Sequence, residues 1–115
     1  MIVYGIRNCD TVRKALAWLN QRGVDYSFHD YKTSGVPRDR LEAWANLLGW
    51  DALANTRGTT WRNLVAEDRA NLDRSRLPAL LAQHASAIRR PVVEWRKGVV
   101  TVGFDPAAFA RALGQ

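Results

Sequence analysis

Hydrophobic and polar positions over the first thirty residues predict a strand, a helix and a second strand. Residues 2–5 form a short apolar run closed by Gly5, which is typical of a buried strand. A helix ending near Gly23 is predicted from apolar residues that share one face: Val12, Ala15, Leu16 and Leu19. Aromatic residues then recur at every second or third position of 26–31. This spacing predicts a second strand, parallel to the first.

The middle of the chain has helical spacing. Pro37 can open a helix, and the buried face predicted for that helix consists of Leu41, Trp44, Ala45 and Leu48. Shorter helices are predicted at 51–55, 61–66 and 77–84. The polar loop Asn55-Thr56-Arg57-Gly58-Thr59-Thr60 lies between the first two of them.

Two apolar runs near the end of the chain predict a β-hairpin. Residues 92–95 and 99–102 flank the turn Arg96-Lys97-Gly98. Asp105 then caps a final helix that has Pro106 at its first position. The inner face of that helix carries two apolar residues, Phe109 and Leu113.

This order of elements predicts one α/β domain over residues 1–115. It has a four-stranded mixed sheet, and an all-helical insertion at about 37–85 separates the second strand from the third. A thioredoxin-like fold satisfies that order.

Charge and composition restrict the partners. The net charge of +6 comes from 17 basic and 11 acidic residues, which are scattered and form no nucleic-acid-binding motif. Nucleic acid is therefore not predicted as a partner. No apolar run approaches the ~20 residues that span a membrane, and the first residues do not resemble a secretory signal. With a single cysteine, no internal disulfide can form, so a cytoplasmic protein is predicted. The two histidines, His29 and His84, are too far apart in the sequence for a metal site.

Cys9 is the candidate nucleophile. It lies just after the first strand and at the start of the first helix, where free N–H groups and the helix dipole favour an anion. A thiol pKa can fall well below ~8.5 in such a position. Arg7 and Arg13 add positive charge on either side, while Asp10 opposes it.

The residue three positions after Cys9 restricts the mechanism. A dithiol oxidoreductase has a second cysteine there, whereas this chain has Val12. A disulfide formed by Cys9 must therefore be resolved by an outside thiol. Glutathione is the abundant cytosolic candidate and is predicted as a co-substrate, with no tightly bound cofactor.

Three segments resemble the arsenate reductase-like (ArsC) family, which includes the ArsC reductases, the Spx regulators and the YffB-type proteins. The resemblance covers essentially the whole chain and is greatest to the YffB type. The segments are Gly5-Ile6-Arg7-Asn8-Cys9-Asp10-Thr11, Asn55-Thr56-Arg57-Gly58-Thr59-Thr60-Trp61-Arg62 and Arg89-Arg90-Pro91-Val92-Val93.

The resemblance implies roles for particular residues. Cys9 corresponds to the family's nucleophile, and Arg57 and Arg90 correspond to two of three oxyanion-binding arginines. Pro91 corresponds to a cis-proline that exposes the backbone of residue 90 to a peptide thiol such as glutathione. Substrate or anion binding is predicted to use these three residues together with Arg13 and Asn8.

The predicted function is a glutathione-dependent thiol reductase that acts on an unidentified disulfide or oxidised substrate. Arsenate reductase is a first alternative. It is disfavoured because Gly103-Phe104 stand where the family's third arginine is expected, and Gly5-Ile6-Arg7 where its histidine is expected. A Spx-like regulator that binds RNA polymerase is a second alternative, and Val12 in place of a second cysteine disfavours its redox switch.

Overall fold

The computed structural model describes residues 1–68 and 77–114, and the chain divides into two compact units. One unit comprises Met1–Ser34 and Arg90–Gln115, and the other comprises Gly35–Arg89. The four strands all belong to the first unit: β1 (Ile2–Gly5), β2 (Ser27–Asp30), β3 (Val92–Arg96) and β4 (Val99–Val102). The helices, in chain order, are α1 (Asp10–Gln21), α2 (Tyr31–Ser34), α3 (Arg38–Leu48), α4 (Trp50–Leu53), α5 (Thr59–Asp68), α6 (Leu77–Gln83), a 3₁₀ turn (Ala85–Ala87) and α7 (Pro106–Leu113).

The strands form one mixed sheet in the order β2-β1-β3-β4. β1 is parallel to β2, which requires the crossover through α1, and it is antiparallel to β3. β3 and β4 form the predicted hairpin. At the centre of the sheet, Val3 of β1 lies opposite Phe28 on one side and Val93 on the other.

Aromatic side chains fill the core between this sheet and its helices. Phe109 of α7 is fully buried and meets three rings edge-on, with centroid distances of 4.9 Å to Trp95, 5.0 Å to Phe104 and 5.5 Å to Trp18. Edge-to-face pairs of this kind add to the free energy gained from burial alone. Asp105 accepts a hydrogen bond from the N–H of Ala107 (3.1 Å), which confirms the predicted N-cap of α7.

The second unit is helical in its described part and contains buried apolar residues. Its fully buried side chains include Leu41, Trp44, Leu53, Leu81 and Ile88. An isolated antiparallel bridge joins Ala54 to Ile88. The predicted insertion at about 37–85 falls within this unit, although its residues 69–76 lie outside the described part of the chain. None of the described helices is long and apolar enough to cross a membrane.

Two details of the sequence-based interpretation were wrong, and the inner face of α1 includes a residue outside the predicted spacing. Trp18 of α1 is buried together with Val12, Ala15 and Leu19, and Leu16 is half-buried. The Trp18 ring packs on Phe109, and the Arg22 guanidinium lies 3.8 Å from its centroid. Leu48 is 37% exposed because α3 ends there and the chain turns at Gly49, whose φ is +88°. The second strand stops at Asp30, because the Asp30 carboxylate accepts from the N–H of Lys32 (2.9 Å) and starts a turn of helix.

Candidate active site

Cys9 occupies the N-cap position of α1, in the turn that follows β1. Its backbone is extended (φ −140°, ψ 125°), and its carbonyl accepts the first helical hydrogen bond from the N–H of Arg13 (2.9 Å). The residue is half-buried. Its side chain therefore lies at the end of a helix where backbone N–H groups have no helical partner.

Several groups act on the ionisation of Cys9. Burial raises the pKa of the thiol, whereas hydrogen bonds from the N–H of Val12, from the Arg90 guanidinium and from the N–H of Thr11 lower it. The positive charge of Arg90 also lowers it. The lowering effects prevail, so the pKa of Cys9 lies below the ordinary value of a cysteine. The thiolate is the reactive form of the residue.

The two arginines next to Cys9 in the sequence are directed elsewhere. Arg13 donates to the carboxylate of Asp10 (3.1 Å) and to the side-chain oxygen of Asn8. Arg7 lies over the ring of Phe28, 4.9 Å from its centroid, and its Nε is 4.0 Å from the carboxylate of Asp30. The prediction that Arg7 and Arg13 supply the charge beside the thiol is therefore corrected: that charge comes from Arg90.

The segment Arg90-Pro91 directly precedes β3, and the Arg90 side chain forms a hydrogen bond with the Cys9 thiol. The peptide bond between these two residues is cis, as predicted, and Pro91 is fully buried. The carbonyl of Pro91 accepts from the N–H of Gly103 (2.9 Å). Gly103 has a φ of +81°, so the position where the family resemblance implied a third arginine is held by a glycine in a left-handed turn.

A cluster of rings that sequence reasoning missed lies in the same unit as Arg90. Tyr31 is 4% exposed and stacks on Tyr4 (centroids 6.5 Å apart), and His29 contacts both rings. Burial raises the pKa of Tyr31 strongly, and the charge of Arg90 partly opposes that rise. The Tyr4 hydroxyl donates to Glu94 (2.9 Å), whereas the Tyr31 hydroxyl has no hydrogen-bond partner among the described residues.

Arg57 belongs to the second unit and lines a cleft of about 330 Å³ there. The loop that carries it is tight: a Cβ at Gly58 would lie 2.9 Å from the side-chain nitrogen of Asn55. The cleft is lined by Asp51, Ala54, Asn55, Thr56, Arg57 and Arg89.

Sequence reasoning found Arg57 but missed Asp51 and Arg89 on the same cleft. The signal for Arg89 was available, because Arg89-Arg90 is one of the two densest basic groups of the chain. No signal singled out Asp51, one of eleven acidic residues. Within residues 1–68 and 77–114, no group of three or more His, Cys, Asp or Glu side chains could hold a metal ion.

Comparison with known proteins identifies relatives of this chain. The sequence profile of the ArsC family matches residues 4–112. The solved structure of a YffB protein is 43% identical and superposes with a TM-score of 0.90 over 97% of each chain. An arsenate reductase (ArsC)-related protein from Brucella melitensis is 39% identical, with a TM-score of 0.74 over 99% of this chain and 94% of its own.

A transcriptional regulator is also among the relatives. The global transcriptional regulator Spx of Streptococcus pyogenes is 32% identical over 100 residues, which cover 85% of this chain and 73% of the regulator. The family match, the YffB superposition and the four-stranded mixed sheet together confirm the predicted thioredoxin-like α/β fold.

Proposed function

Because the chain belongs to the ArsC family, we propose that it is a thiol reductase that uses Cys9 as its nucleophile and glutathione as its reductant. The observation that carries the proposal is the environment of the Cys9 sulfur. Two backbone N–H groups and the Arg90 guanidinium lower its pKa in spite of partial burial. A cysteine with a purely structural role in an apolar interior has a raised pKa instead.

The reaction needs two external thiols because the described site has one sulfur. The Cys9 thiolate attacks one sulfur of a disulfide, which forms a mixed disulfide and expels the other half as a thiolate that takes up a proton. One glutathione thiolate attacks the Cys9 sulfur, releases the remaining substrate thiol and leaves glutathionyl-Cys9. A second attacks the glutathione sulfur, forms oxidised glutathione and restores the Cys9 thiolate. Two glutathione molecules are oxidised for each disulfide reduced.

The intact mass of the protein tests this cycle. Oxidised glutathione should add one glutathionyl group to the wild-type chain, and reduced glutathione should remove it. Val12 stands where a second thiol would be, so nothing within the chain can displace the adduct before the external thiol is added.

Two controls make the result decisive. Cys9→Ser must give no adduct, and the rate of alkylation by iodoacetamide across pH must place the midpoint of wild-type Cys9 below ~8.5. A midpoint at or above that value would return Cys9 to the structural class. Rapid alkylation without a glutathione adduct would keep the nucleophile and reject glutathione as its partner.

Arsenate reduction is a second candidate, because a relative is described as arsenate reductase-related. We expect it to be weak or absent. Gly103 stands where the third oxyanion arginine is implied, and the loss of one charge-assisted contact costs a few kcal/mol of transition-state stabilisation. Steady-state turnover of arsenate comparable with that of a dedicated reductase would contradict this expectation.

Regulation of transcription is a third candidate, because the Spx regulator is a relative. We expect it not to be the main activity, because a single cysteine cannot form an intramolecular switch. Stoichiometric co-purification of RNA polymerase at physiological salt, whatever the redox state of Cys9, would reverse this ranking.

A further inference from the structure

The cleft of the second unit joins two parts of the chain that are distant in sequence. The N–H of Asn55 donates to the carbonyl of Ala87 (2.8 Å), and the N–H of Arg89 donates to the carbonyl of Leu53 (2.7 Å). These bonds flank the bridge between Ala54 and Ile88. As a result, Arg89 lines the same cleft as the loop that contains Arg57.

The charged residues of the cleft have opposite signs. Arg57 and Arg89 contribute two guanidinium groups, and Asp51 contributes a carboxylate. Over residues 1–68 and 77–114, none of the three side chains forms an ion pair. Charged residues that line a concave surface without pairing are available to bind a ligand.

The combination of charges indicates the chemistry of that ligand. Guanidinium groups bind carboxylates through paired hydrogen bonds, and a carboxylate binds an ammonium group. An inorganic oxyanion would use both arginines but be repelled by Asp51. An α-amino-acid group, with an ammonium and a carboxylate on one carbon, complements all three side chains. A volume of about 330 Å³ is at the lower end of the ~300–1,000 Å³ that small-molecule sites span.

We propose that this cleft binds the free α-amino-acid end of a small peptide, with its carboxylate on Arg57 and Arg89 and its ammonium on Asp51. The γ-glutamyl end of glutathione carries such a group, so analogues of glutathione can probe the cleft. Arg89 and Asp51 are then the residues that distinguish an α-amino-acid group from a simple anion.

Binding of two thiol-blocked analogues tests the assignment apart from any thiol chemistry. S-methylglutathione retains the α-ammonium group, and its desamino counterpart lacks it. Isothermal titration of the wild-type chain should show S-methylglutathione binding roughly 10- to 100-fold more tightly, which is the contribution of a hydrogen bond to a charged group. Equal affinities would overturn the proposal without need of any variant.

Variants assign the contacts. Asp51→Asn should remove the preference for the ammonium-bearing analogue, whereas Arg89→Gln should weaken the binding of both analogues. Matched controls are Asp39→Asn and Arg111→Gln, which change exposed residues of the same types outside the cleft and should bind as wild type. Asp51→Asn that keeps the wild-type preference would contradict the role of Asp51. Sulfate binding as tight as that of S-methylglutathione would make this a simple anion site and refute the proposal.

The proposed function and this inference fail separately. A glutathionyl adduct on Cys9 that forms and clears, together with equal binding of the two analogues, would leave the reductase and reject the cleft assignment. Clear discrimination between the analogues without any adduct would retain the amino-acid site and reject the reductase.

Discussion

Gly5 links the sheet to the first turn of α1, and a methyl group at this position should disturb the thiol. A Cβ built on Gly5 would lie 3.0 Å from Cγ2 of Val12, whereas carbon atoms pack best at ~3.5–4.0 Å. Val12 is fully buried, and its N–H is one of the groups that lower the pKa of Cys9. Gly5→Ala is therefore expected to displace Val12, whose N–H donates a hydrogen bond to the Cys9 sulfur.

The size of the effect follows from the packing. Overfilling a close-packed core by one methyl costs about 1–3 kcal/mol of unfolding free energy. Val12→Ala alone removes two methyl groups and leaves a cavity, at a cost of about 2 kcal/mol. In the double variant, the new Cβ of residue 5 enters space that the valine methyls have vacated. The two changes together should therefore cost less than their sum, by about 1 kcal/mol or more.

Urea unfolding of the four proteins measures this coupling, and the pH dependence of iodoacetamide alkylation measures its consequence at the site. We expect the pKa of Cys9 to be higher in Gly5→Ala than in the wild type, since displacement of Val12 weakens its hydrogen bond to the sulfur. Strict additivity of the unfolding free energies, or a Gly5→Ala protein as stable as the wild type, would refute the close contact.

Four further predictions address the cap of α7, the pH dependence of stability and two arginines. Asp105→Ala should lower the unfolding free energy by about 1 kcal/mol because it removes the cap of α7, and Asp105→Asn should restore most of it in urea unfolding. The pKa of Cys9 is lowered in the folded chain and is ~8.5 in the unfolded chain, so the unfolding free energy of the wild type should rise relative to that of Cys9→Ser as the pH increases between these two values. Parallel pH profiles of the two unfolding free energies would contradict this. Arg57→Ala should fold normally and react more slowly with anionic thiols. If the variant is instead destabilised, and its folded form reacts with thiols at the wild-type rate, then Arg57 has a structural role. In a mixed disulfide between Cys9 and uncharged 2-mercaptoethanol, Cys9 is the leaving group when a thiol attacks the mercaptoethanol sulfur. Arg90→Gln should slow this release of Cys9 at every pH, and an unchanged rate would contradict the contact between Arg90 and Cys9.

Most elements of the fold could be predicted because their signals are local. The Asp105-Pro106 start of α7 and the turn between β3 and β4 are read within a few residues. The structure has both, with the turn at Lys97-Gly98 because Arg96 still pairs with Val99. Periodicity leaves out contacts that tertiary packing creates. Trp18 lies outside the predicted spacing of α1 and is buried against Phe109, which is distant in the sequence. No spacing rule within α1 could reveal that contact.

The site was predictable only in part, for the same reason. Cys9 at a helix start is a local feature, but the arginine that acts on it arrives from the other end of the chain. Sequence proximity favoured Arg7 and Arg13, but these side chains pair with Asp30 and Asp10. Likewise, Asp51 and Arg89 share a cleft because backbone bonds join 53–55 to 87–89.

Because the chain has a single thiol, the charge of Arg90 matters most for the release of Cys9 from its mixed disulfide with glutathione. A lower pKa makes a thiolate available at neutral pH but also less nucleophilic, with a Brønsted coefficient of about 0.4–0.5, so the gain in attack is partly cancelled. In release, Cys9 is the leaving group, and a lower pKa speeds its departure with no such cancellation. The second thiol of a dithiol enzyme would attack the Cys9 sulfur and expel the substrate without forming a glutathione adduct, whereas this chain has Val12 at that position. In the proposed cycle, the hydrogen bonds to the Cys9 sulfur therefore favour the last step, in which a second glutathione attacks the adduct and Cys9 departs.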